Sequence, residues 1–225
     1  MSILPLRTTT ERETEQALRR SSAKRSLDTA VAALLLVLVS PLLLGLAIAV
    51  RLTSRGPAFF RQERLGRGGR PFMMLKFRTM YTDTDDDVHR QYVTQLLTED
   101  APAAGGSGGL YKLEADPRIT PVGRWLRRTS LDELPQLVNV LRGEMSLVGP
   151  RPALAWEAEL YRDGDHERFE VLPGITGLWQ VSGRSRLSMR EALALDVEYV
   201  RRQSLWLDLW ILARTIPTVL RSEAS

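Results

Sequence analysis

A long apolar run near the N-terminus constrains this chain more than any other feature. Every residue from Ala30 to Val50 is apolar, Gly or Pro except Ser40. A helix of this length is long enough to cross the hydrocarbon core of a bilayer. Three arrangements therefore compete: a membrane-spanning helix, a cleaved signal peptide, and a helix that enters the membrane and returns to the same side.

A signal peptide is the least favoured of the three. Ala47 and Ala49 form an A-x-A pattern of the kind that precedes a cleavage site. However, the apolar run is longer than the usual signal-peptide core, and the segment before it is long and contains Glu11, Glu13 and Glu15,. The spanning helix and the re-entrant helix remain.

Basic residues flank the run on both sides. Lys24 and Arg25 precede it, and six arginines follow it between residues 51 and 70. Basic residues in short flanks favour the cytoplasmic side of a membrane, so a spanning helix would place one cluster on the unfavoured side. The charge pattern therefore favours the re-entrant arrangement.

Ser40 and Pro41 interrupt the run at its middle. Pro41 has no N–H to donate to the carbonyl of Val37, so a bend is expected, and the Ser40 hydroxyl can donate to a carbonyl left without its usual partner. A kinked span is the alternative. We predict that residues 24–55 form a re-entrant membrane anchor, broken at Ser40-Pro41.

The residues after the run predict a β-hairpin and then a helix. Gly66, Gly68 and Gly69 stand among arginines and predict a turn between short strands, since no phosphate-loop fingerprint fits them,. Further on, four aspartates precede a stretch of helical apolar spacing, which predicts a helix start; a divalent-cation site is the less favoured alternative. These aspartates are Asp83, Asp85, Asp86 and Asp87.

Two further segments have less specific patterns. Residues 101–109, APAAGGSGG, have the composition of a flexible loop,. Near the C-terminus, Trp206 and Trp210 lie in a long helical pattern of apolar and basic residues. The pattern predicts an amphipathic helix in the membrane interface, with a core-packing helix as the alternative.

Asp132 and Glu133 are adjacent carboxylates at the start of a predicted helix. Ser130 and Glu133 match a capping box, but that helix start would place Pro135 inside the helix. A start near Pro135 removes the conflict, because proline is favoured at the first helical position. Both starts place the two carboxylates at the helix N-terminus, where the helix dipole favours negative charge.

This position suits Asp132 as a nucleophile or a metal ligand. Two carboxylates would repel an anionic substrate, so a divalent cation or basic side chains must complete the site. The basic candidates are Lys76, Arg78, Arg127, Arg128 and Arg151. Together these groups indicate phosphoryl transfer through an aspartyl-phosphate type of intermediate, and a metal-dependent phosphohydrolase would need the same parts.

Four segments form a recognisable series along the chain: KFRTM (Lys76 to Met80), DPRITPVGRWLRRTSLDELPQLVNVLRGEMSLVGPRP (Asp116 to Pro152), LPGITGLWQVSGR (Leu172 to Arg184) and DVEYVRRQSLWLDLWIL (Asp196 to Leu212). In this order they resemble the bacterial sugar transferase family, the monotopic phosphoglycosyl transferases, and the resemblance runs from about Lys24 to Leu212. The resemblance implies transfer of a sugar 1-phosphate from a nucleotide diphosphate sugar, usually a UDP-sugar, to a polyprenyl phosphate such as undecaprenyl phosphate. UMP is released, and polysaccharide or glycoconjugate assembly begins.

The resemblance also implies roles for individual residues. Asp132 would be the nucleophile that forms a covalent phosphosugar intermediate, with Glu133 and Mg²⁺ assisting, so both carboxylates are candidate metal ligands. The substrate-binding candidates are Lys76, Arg78, Arg128 and Arg151. Asp196 is a further residue that would help to arrange the site, although a carboxylate on an amphipathic helix is more often exposed.

These inferences define an α+β, mostly helical protein with a re-entrant helix hairpin, interfacial amphipathic helices and a short β-hairpin. We expect a flexible tail over residues 1–23, the membrane anchor over 24–55 and a cytosolic catalytic domain over 56–225, as in the family's minimal catalytic form. The net charge of +4 gives no support for nucleic acid binding, and the absence of cysteine excludes disulfides and thiolate metal sites,.

We expect the protein at the cytoplasmic face of a bacterial inner membrane, in contact with lipid, a nucleotide sugar donor and a polyprenyl phosphate acceptor. The competing hypotheses are a membrane-bound, metal-dependent phosphohydrolase and a non-catalytic membrane adaptor. The sequence identifies neither the sugar nor the oligomeric state, a homo-oligomer included, because specificity depends on a few contacts to sugar hydroxyl groups.

Overall fold

The computed structural model describes residues 9–82, 87–98, 116–183 and 187–222. Over these ranges the chain is mostly helical, with short strands in two separate pairs. The predicted α+β class and the short antiparallel hairpin are therefore confirmed. The division into tail, anchor and catalytic domain stays a prediction.

The described residues contain eight α-helices and four strands. In chain order they are α1 (Thr9–Thr53), β1 (Phe59–Leu65), β2 (Pro71–Phe77), α2 (Asp87–Thr98), α3 (Pro121–Arg128), α4 (Gln136–Arg142), β3 (Ser146–Val148), α5 (Ala155–Ala158), β4 (Gly174–Thr176), α6 (Leu178–Ser182), α7 (Met189–Arg202) and α8 (Leu205–Ser222). Three 3-10 segments, Arg67–Gly69, Leu131–Glu133 and Asp163–Glu170, connect them.

Helix α1 carries the apolar run and continues through Pro41. The Ser40 hydroxyl donates to the carbonyl of Val37 at 2.9 Å, which is the carbonyl that Pro41 cannot serve,. That local prediction is confirmed. Within the described residues, the segment Ser22–Thr53 is the one helix whose length and apolar composition would allow it to cross a membrane.

The two ends of this apolar segment pack against the rest of the protein, whereas its middle packs only in part and exposes much of its apolar surface. Near its start, Arg25 donates to the carbonyls of Val140 and Leu141 at the end of α4. Near its end, Leu46 and Val50 are buried in a cluster with β2 and α3. Between them, large apolar side chains are exposed, namely Leu34, Val37, Leu38, Leu42 and Leu44.

Strands β1 and β2 form the predicted hairpin, in the register Phe59↔Phe77 to Leu65↔Pro71. Gly68 and Gly69 in its turn have φ of 68° and 69°. Glycine adopts this left-handed conformation without steric cost, which is why the glycine cluster marks the turn.

Helix α2 confirms the helical spacing predicted after the acidic run, because Val93, Leu96 and Leu97 are buried in one core cluster with α7. Asp83, Asp85 and Asp86 lie outside the described residues, and so does the side chain of Asp87. The loop predicted over residues 101–109 also lies outside them. The cation-site alternative for these aspartates therefore stays untested.

The C-terminal pattern, predicted as one helix, forms two. Helix α7 ends at Arg202 and α8 begins at Leu205. Helix α8 buries Asp208 and Ile211 and exposes a row of large apolar side chains on its other face: Leu205, Trp206, Leu209, Trp210 and Ile216. Such an exposed apolar face agrees with the interfacial prediction for this segment.

Candidate active site

The paired carboxylates lie in a short turn that leads into α4. Ser130 adopts a left-handed conformation with φ of 57° and its side chain does not cap the turn. The segment Leu131–Glu133 is 3-10 helical, and Pro135 occupies the N-cap position of α4. The capping-box interpretation is therefore wrong and the start near Pro135 is right, because proline at this position needs no hydrogen-bond donor.

Asp132 is buried, with 6% of its surface exposed. The neighbouring cation is Arg127, whose Nε donates to Thr79 Oγ1 at 2.9 Å. Burial lowers the pKa of Arg127, and the negative charges of Asp132 and Asp116 partly oppose that shift. Arg127 therefore provides positive charge beside a carboxylate that has little contact with water.

Helix α3 holds Arg127 in place because it packs closely on the chain after β2. The Thr120 hydroxyl caps α3 by accepting from the Gly123 N–H at 2.9 Å. A Cβ at Gly123 would come within 2.0 Å of the Thr79 carbonyl oxygen, so only glycine allows this approach. Arg127 lies one turn after Gly123 and is half-buried, whereas Arg128 is exposed.

Lys76 approaches the second carboxylate. Its Nζ lies 3.4 Å from Glu133 Oε1, and both side chains are partly exposed. This contact depends on the packing of α4 against β2. Asn139 fixes the position of α4 relative to β2. The Asn139 side chain accepts from the Leu75 N–H at 3.0 Å and donates to the Met73 carbonyl at 2.8 Å, so it pairs with β2 as an extra strand residue would.

Arg78 occupies a different place. Its guanidinium group donates to the carbonyls of Ser54 and Arg55, just beyond the end of α1. Burial lowers the pKa of Arg78, and the nearby charge of Arg51 adds to the effect. The structure thus brings Arg78 to the end of α1. Its substrate-binding role stays a prediction.

Arg151 belongs to a second cluster of charges. Its guanidinium group lies 3.5 Å from Glu157, and Arg64 lies 3.9 Å from the same carboxylate. Leu65, at the end of β1, pairs with Ala153, which places this cluster at the tip of the hairpin. Lys76 pairs with Phe60 near the other end.

The strand register separates the two clusters. The Lys76 rung and the Leu65 rung are five residues apart along β1, which corresponds to about 17 Å of strand,. The structure therefore brings Lys76 and Arg127 to the carboxylates, and it places Arg151 with Arg64, Glu157, Arg168 and Asp196. Glu157 and Arg168 were missed from the sequence, where each is an ordinary charged residue outside any recognisable pattern.

The model of the family described as bacterial sugar transferase matches residues 19–222. The chain belongs to this family. The match covers both charge clusters, the hairpin and most of α1, so it agrees with the resemblance found in the sequence motifs.

Several curated members of the bacterial sugar transferase family are similar to the chain. Exopolysaccharide production protein ExoY of Rhizobium meliloti is 43% identical over 90% of the chain and 88% of its own length. The UDP-glucose:undecaprenyl-phosphate glucose-1-phosphate transferase of Caulobacter vibrioides is 44% identical over 89% and 70%. The undecaprenyl-phosphate galactose phosphotransferase of Salmonella typhimurium is 42% identical over 92% of the chain but only 43% of its own length. The chain thus spans less than half of some of its relatives.

The carboxylate turn fits a magnesium ion only if substrate and water complete the coordination of the ion. Among the residues that the structure describes, no three His, Asp or Glu side chains converge as a ready-made metal site. Mg²⁺ is commonly held by one or two carboxylates together with substrate phosphates and water. Asp132 and Glu133 would supply two carboxylates for such an ion, and substrate phosphate and water would have to supply the remaining oxygens.

Proposed function

We propose that this protein transfers a sugar 1-phosphate from a nucleotide diphosphate sugar, a UDP-sugar being the first choice, to undecaprenyl phosphate. The observation that carries the proposal is the buried Asp132 beside Glu133, with Arg127 and Lys76 as neighbouring cations. Names of relatives that act on undecaprenyl phosphate support the acceptor. The product would start the assembly of a polysaccharide or glycoconjugate.

In the first step, a carboxylate oxygen of Asp132 attacks the phosphorus that carries the sugar. A bond forms between this oxygen and phosphorus, and the bond from phosphorus to the oxygen bridging the two phosphates breaks. UMP leaves with that bridging oxygen and its electron pair. Arg127 is placed to offset the negative charge around the buried Asp132, and Lys76 offsets that of Glu133.

In the second step, a phosphate oxygen of undecaprenyl phosphate attacks the same phosphorus. The bond to Asp132 breaks, and the carboxylate is regenerated. The product is undecaprenyl diphosphate sugar. The burial of Asp132 excludes bulk water, which would otherwise hydrolyse the intermediate.

Asp132 and Glu133 would hold Mg²⁺ in this proposal, and the ion would neutralise charge on the donor's diphosphate. Glu133 is the more exposed of the two, and its contact with Lys76 is long for an ion pair. Lys76 can therefore exchange Glu133 for a substrate phosphate without leaving its strand.

The proposed membrane arrangement is a helix that enters the bilayer and returns. Basic residues flank the apolar segment on both sides, and Pro41 at its middle leaves the Val37 carbonyl without its usual helical partner,. A bend at Ser40-Pro41 would return the chain to the side from which it entered, with the exposed apolar side chains between Leu34 and Leu44 in lipid,. The catalytic domain would then lie at the cytoplasmic face of the inner membrane.

The test measures UMP release by the purified full chain in nanodiscs containing undecaprenyl phosphate, across a panel of UDP-sugars with Mg²⁺. We expect release from one or two donors that requires the acceptor and is abolished in Asp132→Asn. Glu133→Gln should retain the fold and lose most activity. Mass spectrometry of the wild type with donor alone should detect a phosphosugar adduct on Asp132.

Two outcomes would contradict the proposal. Acceptor-independent release of UMP or phosphate would indicate the phosphohydrolase, an activity that the names of the relatives above do not describe. If Asp132→Asn released UMP as fast as an active wild type, Asp132 would not be the nucleophile. If neither protein released UMP, the adaptor hypothesis would be favoured.

A further inference from the structure

Pro150 and Pro152 flank Arg151, and neither has a backbone N–H to donate,. Their carbonyls are held by other segments, because the Pro150 carbonyl accepts from the Gly174 N–H at 2.8 Å and the Pro152 carbonyl accepts from Arg64 at 3.1 Å. The N–H and carbonyl of Arg151 itself are bound by a different pair of residues.

Two buried charged residues from distant parts of the chain meet at these groups. Arg168 donates to the Arg151 carbonyl at 2.7 Å and to Asp196 Oδ2 at 2.7 Å. The Arg151 backbone N–H in turn interacts with the Asp196 carboxylate. The side chains of Arg168 and Asp196 are 1% and 3% exposed, so they are shielded from solvent and held in place by packing.

A third buried residue holds the Arg151 side chain. Glu157 is 1% exposed and its carboxylate lies between Arg151 and Arg64. Its Oε2 also accepts from the Leu154 N–H at 2.9 Å, which fixes its rotamer. Burial alone would raise the pKa of Glu157, but the guanidinium groups of Arg151 and Arg64 hold it below its ordinary value. Glu157 is therefore a fixed anion against which Arg151 is oriented.

We propose that Asp196 and Glu157 are positioning residues that fix the backbone and the side chain of Arg151 for binding an anionic part of the nucleotide sugar. The proposal rests on the proposed function. Arg151 keeps 19% of its side chain exposed and lines a small pocket with Gly66, Pro150 and Phe169. Arg168 lines the same pocket, but Arg151 is the most exposed charged side chain of the cluster.

The charges in the cluster support a ligand-binding role. Arg64, Arg151 and Arg168 contribute three positive charges, whereas Glu157 and Asp196 contribute two negative charges. The surplus favours a bound anion. Buried ion pairs are also a poor route to stability alone, since apolar residues of similar volume often serve as well.

The test compares donor KM and kcat for Asp196→Asn, Arg151→Met and the double variant, using the UDP-sugar that the wild type accepts. We expect Asp196→Asn to raise the donor KM about 10-fold with little change in kcat, because Arg151 loses its orientation and not its charge. In the Arg151→Met background, Asp196→Asn should add less than about 2-fold, since both changes remove one interaction. The matched control is Asp208→Asn, an equally buried carboxylate paired with Lys24, which should leave the donor KM unchanged.

The side-chain end of the cluster provides a second variant. Glu157→Gln keeps the volume and removes the charge, and it should raise the donor KM by about the same factor. Thermal melting of each purified variant shows whether it folds. If Asp196→Asn does not fold, the donor KM of Glu157→Gln tests the positioning role instead. The proposal is overturned if the effects of Asp196→Asn and Arg151→Met multiply, or if both positioning variants behave like Asp208→Asn. A wild type inactive with every donor would instead contradict the proposed function.

Discussion

Two adjacent arginines differ in what they can do at the carboxylate turn. Arg127 is half-buried, donates to Thr79, and interacts electrostatically with the carboxylate of Asp132. Arg128 is exposed at the end of α3. A buried charge next to the reacting group contributes far more than an exposed one, because water screens it less. Arg127 is therefore the stronger candidate for stabilising the transferred phosphate.

We predict that Arg127→Gln lowers kcat by about 10²-fold, the size of effect typical for losing one electrostatic contact to the transition state. UMP release at saturating donor measures it. Arg124→Gln, an exposed position one turn earlier on the same helix, is the control and should retain activity. Arg128→Gln tests the separate prediction that Arg128 binds substrate. Equal loss in Arg124→Gln and Arg127→Gln would contradict the role assigned to Arg127.

Asp196 makes stability depend on pH in an unusual direction. Burial raises the pKa of Asp196 from 3.8 to about 6, although Arg168 and Arg151 favour its charged form. The folded state therefore binds a proton more tightly than the unfolded state. The stability contributed by the neutral carboxyl is fully present below about pH 4 and is lost as pH rises through about 6, a change of about 3 kcal/mol.

We predict that the melting temperature of the wild type relative to Asp196→Asn falls by about 5–10 °C between pH 4 and pH 6.5. Above pH 7 the difference should be constant. Thermal unfolding of both purified proteins across this range measures it. The other titrating groups affect the melting temperatures of both proteins equally, so their effect cancels in the difference between the two. If the two plots of melting temperature against pH were parallel, Asp196 would not titrate between pH 4 and pH 6.5.

At the scale of single elements, the sequence predicted what local chemistry decides. The glycine cluster located the hairpin turn, apolar spacing located α2, and the Ser40 hydroxyl bonded to the carbonyl that Pro41 leaves. The capping box at Ser130 failed because Pro135 competes for the same helix start. The break between α7 and α8 has no glycine or proline to mark it.

The relation between elements is harder to read, because it depends on residues far apart in sequence. Asn139 is wholly buried, and its side chain joins α4 to β2 across more than sixty residues of chain. The same contact sets how Glu133 faces Lys76. In the sequence, Asn139 is only a polar residue inside an apolar helical pattern.

We predict that Asn139→Ala lowers the melting temperature by about 5–10 °C, since the Leu75 N–H and the Met73 carbonyl lose their partner at a cost of about 2–4 kcal/mol. Activity should fall with it, because α4 is no longer fixed against β2. Arg142→Ala, exposed on the same helix, should shift melting by less than about 2 °C. A variant as stable as the wild type would mean that the amide does not fix the two elements.

For the whole molecule, the decisive contacts lie where α1 joins the rest of the fold. Lys24 bonds to Asp208 of α8 at 2.7 Å, and Asp208 accepts from the Tyr199 hydroxyl of α7 at 2.7 Å. Asp28 accepts from Ser146 of β3 at 2.7 Å. The start of the apolar helix is thus tied directly to α8 and β3, and through Asp208 to α7. Charge counting predicted the side of the membrane on which this end lies, but it could not predict these partners.

These ties make the membrane topology directly testable, because the chain has no cysteine and any introduced thiol is its only one. Ala23→Cys marks the start of the apolar segment. Gly164→Cys marks the part of the protein that follows this segment, at a position where a side chain would meet open space. We predict that a membrane-impermeant maleimide labels both in inside-out vesicles and neither in intact spheroplasts. A spanning helix would place the two positions on opposite sides and split the labelling. Replacing Pro41 by Leu should favour that straight helix. If this change exposes Ala23→Cys to maleimide in intact spheroplasts while Gly164→Cys stays labelled only in inside-out vesicles, the bend at Ser40-Pro41 determines the topology.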